Sequence, residues 1–146
     1  MPYRLPEISL AGTWTYRSFI NDPTLVNGNA NALLNMLFAE ATMTLKPPTG
    51  VTITGALDFG GGQGMDLHGT ITPPTATAPE GVLLHGTGRP NTPTAAYFYD
   101  YQGYYVPHWS NGVGQVSTLV GGIIRVKPHD GQPAGYTATF MAIKHA

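Results

Sequence analysis

The chain has 146 residues, 42% of them hydrophobic and only 10% charged, with 19 glycines, 13 prolines, no cysteine and a net charge of −1. That is one domain's length with enough apolar material for a core, which argues against disorder, while the glycine and proline content argues against a helical bundle. The charge balance leaves no basic stripe for nucleic acid and no polybasic membrane patch, and the lack of cysteine excludes disulfides, thiol nucleophiles and thiolate metal sites.

The opening Met1 to Glu7 has no apolar run resembling a signal peptide, and no stretch approaches the roughly 18 apolar residues of a membrane helix. The expectation is a soluble cytoplasmic protein. Eight strand-like segments follow: 9–19, 39–46, 51–59, 65–72, 81–89, 95–106, 117–127 and 135–144. Short strands divided by Pro/Gly turns indicate an all-β fold. One segment invites a short helix, Ala30 to Phe38, with Asn29 as its cap. Two turns are marginal alone, so it is expected to pack on the sheet, over a barrel end or an outer face.

Parity gives the pairing. Val51, Ile53, Leu57 and Phe59 alternate with Thr52, Thr54 and Asp58, and Met43 and Leu45 alternate with Thr42, Thr44 and Lys46. Turns at 46–50 and 60–64 predict Leu45 opposite Val51 and Phe59 opposite Met65. The repeated Leu-His-Gly-Thr at 67–70 and 84–87 predicts a hairpin with His68 opposite His85 and Leu67 opposite Gly86. Large then faces small, as suits a narrow barrel. The expected architecture is one domain, an eight-stranded antiparallel up-and-down β-barrel with one short helix; an open sandwich is the alternative.

The first segment carries Leu10, then Gly12-Thr13-Trp14, then Thr15-Tyr16. This resembles the G-x-W opening of the calycin superfamily, the lipocalins and avidins. The resemblance implies a tryptophan closing one barrel end against a late basic residue, here Arg125 or Lys144. Other lipocalin motifs and the biotin-contacting pattern of avidins are not recognisable, so it carries no ligand over.

Segment six is the richest in chemistry. Tyr97, Tyr99, Tyr101 and Tyr105 share a face, with Gly103 between them. They make either an aromatic core strand or the wall of a small-molecule pocket. The following loop, 107–115, holds Trp109, which folds over a barrel mouth, meets a partner or simply packs. Asp100 alternates away from the tyrosines; if they point outward, it points inward as a general acid or base. His68, His85 and Asp66 form a possible metal set, but by parity on the outer face, so no metal site is expected. The Gly60-Gly61-Gly62-Gln63-Gly64 run lacks the Lys-Ser/Thr of a phosphate loop and reads as a turn.

Both faces of segments seven and eight are largely apolar, so a homo-oligomer packed through them is expected. Arg125 falls on the inner face and needs a partner: a carboxylate, the Trp14 ring or an acidic ligand. The favoured function is a barrel binding a small apolar or aromatic ligand, with Trp14, Tyr16, Tyr97, Tyr99, Tyr101, Tyr105, Trp109 and Arg125 as candidate contacts. No cofactor is implied. Two alternatives compete: a barrel enzyme of isomerase or cyclase type using Tyr16, Tyr99, Tyr101 or Asp100, and a structural or interaction protein whose barrel is filled by its own side chains.

Overall fold

A computed structural model of the chain describes residues 10–106 and 116–145. Eight antiparallel strands close into a barrel in sequence order. They are β1 (Gly12–Phe19), β2 (Leu37–Leu45), β3 (Thr52–Gly60), β4 (Gln63–Thr72), β5 (Gly81–Gly88), β6 (Phe98–Val106), β7 (Thr118–Arg125) and β8 (Thr137–Lys144). β8 returns to pair with β1, Trp14 lying opposite Lys144 and Ser18 opposite Phe140. Closure leaves no sheet edge, and each strand sends alternate residues inward.

The β4–β5 hairpin has the expected register, His68 opposite His85 and Leu67 opposite Gly86. Two other registers differ from expectation. Leu45 faces Gly55, not Val51, and Met43 faces Leu57. Pro47 and Pro48 have no N–H to continue the ladder, which breaks off after the bond from Lys46 N to Thr54 O at 2.9 Å, and only Thr49 and Thr52 pair beyond it. Glycine at 55 admits this pairing, because a Cβ there would lie 2.1 Å from Thr44 O. In the next hairpin Leu57, not Phe59, faces Met65. The turn there has only Gly61 and Gly62 at its centre, both at positive φ (62° and 79°). Such a pair fits a two-residue hairpin turn, so strand pairing continues to Gly60 and Gln63. Both slips are even-numbered, so no side chain changes face.

The helical segment is a 3-10 helix, Ala30–Met36, capped by Asn29, whose side chain accepts from Asn31 N. It buries none of its residues, and Leu34 is 63% exposed. It therefore covers neither a barrel end nor a sheet face, contrary to expectation. β2 begins two residues earlier than expected, and β6 starts at Phe98 because turn bonds from Ala95 N to Thr92 O and Tyr97 N to Thr94 O hold the preceding chain.

Inside, Trp14 packs one end. Trp14, fully buried, donates Nε1–H to Leu10 O at 3.0 Å and meets Tyr105 edge to face. Lys144 Nζ lies 5.7 Å from the Trp14 ring. Of the two basic residues proposed to close this end, Lys144 does so. Arg125 lies with Tyr99 and Tyr136 instead. Asp100 is on the outer face, its Oδ1 2.7 Å from His85 Nδ1, so the inward reading of Asp100 is overturned. Tyr99, Tyr101 and Tyr105 of β6 occupy inner positions, while Tyr104 faces outward. No helix among the described residues is long and apolar enough to cross a membrane.

Candidate ligand-binding site

The other end of the barrel is open. A cavity of about 450 Å³ lies there, walled by aromatic side chains and entered between the β1–β2 connection, the β3–β4 turn and the β7–β8 turn. Tyr16 and Tyr101 line it, their rings edge to face at 6.1 Å. Phe140 stacks on Tyr16 at 5.8 Å and holds that wall from behind. Phe38, Phe59 and Met65 supply apolar surface. Each arrives by strand alternation from a different strand, which is how a barrel converges side chains from distant sequence positions.

Burial raises the Tyr16 and Tyr101 phenols above their ordinary value of 10.0. They remain neutral O–H groups at physiological pH. Ser18 lies beside Tyr16 and is fully buried, yet among the described residues its Oγ finds no hydrogen-bond partner of acceptable geometry. An orphaned buried hydroxyl beside a cavity is a polar position that a bound molecule can satisfy.

The upper wall is a chain of hydrogen bonds. Arg125 Nε donates to Tyr99 Oη at 3.0 Å. Tyr99 Oη and His129 Nε2 are 2.6 Å apart, and His129 Nδ1 lies 2.8 Å from Asp130 Oδ2. A His129 tautomer with its proton on Nδ1 toward Asp130 leaves Nε2 to accept the Tyr99 hydroxyl, whose oxygen in turn accepts from Arg125. His129 also stacks on Tyr97 at 4.1 Å. Asp130 adopts a positive φ of 50° in the tight β7–β8 turn, which swings His129 back over the mouth. Burial and the nearby Asp130 carboxylate both push the Tyr97 phenol upward.

Of the eight residues singled out from the sequence, the structure brings Tyr16, Tyr97, Tyr99, Tyr101 and Arg125 to this cavity. Trp14 and Tyr105 pack together at the opposite end. Trp109 lies outside the described residues. Sequence reasoning missed Phe38, Phe59 and Met65 on the apolar wall, and Ser18 and His129 among the polar groups. Ser18 and Met65 were legible by parity, Ser18 being two residues beyond Tyr16. His129 sits in a turn with no periodic signal. On the outer face, the His68 and His85 rings lie 5.3 Å apart, but His85 is engaged by Asp100. Among the described residues no group of three or more His, Asp or Glu is placed to hold a metal ion.

A scan of protein-family models finds none that matches the chain, and searches of curated proteins and of solved structures return no match.

Proposed function

We propose that this protein is a small-molecule-binding barrel of calycin type, taking an apolar or aromatic ligand into its open end. The observation that carries the reading is the 450 Å³ cavity, aromatic on its walls and holding an orphaned Ser18 hydroxyl. A barrel with a purely structural role has reason to fill this space, as it fills the Trp14 end. The G-x-W opening, with Trp14 closing the far end beneath Lys144, supports the calycin comparison. Native mass spectrometry of freshly purified protein tests the reading. Extra mass that is lost on denaturation supports it; bare chain mass together with failure to bind apolar aromatic probes overturns it.

The Asp130–His129–Tyr99 chain favours a second reading, an enzyme that moves a proton on the bound molecule. In that case Tyr99→Phe retains binding and loses turnover. Asp100 has no part in it.

We also propose that a second copy of the chain covers the outer face of β7 and β8. Ile124, Met141 and Ile143 are each about two-fifths exposed there, and Tyr104 of β6 stands beside them at 52%. With so few charges in the chain, a like partner is the simplest cover. Sedimentation of wild type against Met141→Glu is the test: a dimer that becomes monomeric supports it, and a wild-type monomer overturns it.

A further inference from the structure

We infer that the ligand carries an anionic head group, held in the cavity by Arg125, with an apolar or aromatic body. This rests on the binding reading above and adds the chemical class of the ligand.

β7 alternation places Leu119, Ile123 and Arg125 on the inner face. Arg125 is only 4% exposed and lines the cavity. Burying a guanidinium is costly unless its charge and donors are met. Among the described residues two of its five N–H groups are met, one by Tyr99 Oη and one by Pro133 O at 3.1 Å. Both acceptors are neutral. The Tyr99 and Tyr136 rings lie 5.6 and 5.0 Å from Cζ and stabilise the cation through their faces.

What is missing is a counter-charge. Among the described residues, no carboxylate lies within ion-pair distance of Arg125. Asp130 reaches the network only through the His129 ring, and its own side chain is 71% exposed to screening water. Glu40, the carboxylate at the cavity wall, is held by Arg17 Nε at 2.8 Å. The neighbouring phenols of Tyr16 and Tyr101 are kept protonated by burial, so they supply donors rather than negative charge. The cavity therefore offers one buried cation, unmet N–H donors and the Ser18 hydroxyl, inside aromatic walls. A neutral ligand leaves that charge uncompensated, and a cation is repelled. A planar or tetrahedral oxyanion such as a carboxylate or sulfonate fits the fork of the guanidinium.

The test compares two fluorescent probes with the same ring body on the intact protein. 1-Anilinonaphthalene-8-sulfonate carries the anion; N-phenyl-1-naphthylamine lacks it. The expected result is at least about tenfold tighter binding of the sulfonate, in keeping with a charge-assisted hydrogen bond. Arg125→Gln removes that preference while sparing the neutral probe, and Arg125→Lys retains part of it. If Arg125→Gln does not fold, the wild-type comparison still decides. Equal binding of both probes overturns the anionic head and leaves the binding barrel standing. No binding of either probe overturns both. Ala39→Phe, which plugs the cavity mouth, is expected to abolish binding of both. Sulfonate binding that survives this plug belongs to the outer surface and overturns the inference.

Discussion

Gly103 on β6 and Gly121 on β7 face each other across the ladder with no room for a methyl group on either. A Cβ on Gly121 would stand 2.0 Å from Gln102 O and 2.5 Å from Gly103 Cα. One on Gly103 would meet Val120 O at 2.6 Å and Phe140 Cζ at 3.1 Å. The pair lets β6 and β7 approach closely enough for Phe140 to pack behind Tyr101. Gly121→Ala is therefore expected to cost about 3 kcal/mol, because backbone must move. The adjacent Gly122→Ala, whose new Cβ meets nothing closer than 3.9 Å, is expected to change stability by less than about 0.5 kcal/mol. Urea unfolding of the two variants measures the contrast.

Ser18→Ala removes an orphaned buried hydroxyl. The ligand-free protein is expected to gain about 1 kcal/mol, since a desolvated group without a partner is deleted. If Ser18 contacts the ligand, the same variant binds more weakly. Calorimetric unfolding with and without probe measures both effects, and a variant less stable than wild type when empty contradicts the assignment of Ser18 as orphaned.

Tyr16 and Tyr101 predict a limit at alkaline pH. Their folded-state pKa values lie above the ordinary 10.0 because burial disfavours the phenolate. Above about pH 10 the unfolded chain gives up these protons while the folded chain keeps them, so stability falls as pH rises. Each such group removes about 1.4 kcal/mol per pH unit in that window. Tyrosinate absorbance followed through alkaline unfolding is expected to show a late step coincident with loss of structure. Tyr101→Phe reduces the slope of stability against pH by one proton.

Glu80 predicts a change near the acid end. The residue is 9% exposed, its Oε2 has no hydrogen-bond partner among the described residues, and burial raises its pKa above 4.5. A raised carboxyl pKa favours the folded state at low pH, and that contribution is lost as pH rises through the folded value. Glu80→Gln is thus expected to be more stable than wild type at pH 7, by about 1 kcal/mol. The gap closes below pH 4.5, where the wild-type carboxyl is protonated in both states. Chemical denaturation at pH 4 and pH 7 measures the difference.

Much of the barrel is legible in the residues themselves. Alternation in Val51 to Phe59 and in the β6 tyrosines sets which face is inward, and the twin Leu-His-Gly-Thr segments set the β4–β5 register. Parity survives errors of two or four residues, so the inner set stayed correct where Leu45 proved to face Gly55. Register in the other hairpins depends on turn length, and there Pro47-Pro48 lengthened one connection while Gly61-Gly62 shortened the next. The cavity was only half legible. Strand residues such as Tyr16 and Tyr101 announce themselves by alternation. His129 enters through a left-handed turn at Asp130, and the distinction between the Trp14-packed end and the open Arg125 end depends on how eight chain segments fill a common volume. No local pattern records that.

The pairing of β1 with β8 also makes the vessel depend on one strand. Every other ladder joins strands adjacent in the chain, so the β1–β8 pair is the one that spans nearly the whole domain. Without Thr137–Lys144 the sheet would have two bare edges, Gly12–Phe19 and Thr118–Arg125. Thr137–Lys144 covers both edges at once and turns a sheet into a vessel. The cavity thus exists only when that strand is in place, and a chain truncated before it is expected to be both empty and prone to pairing with its neighbours.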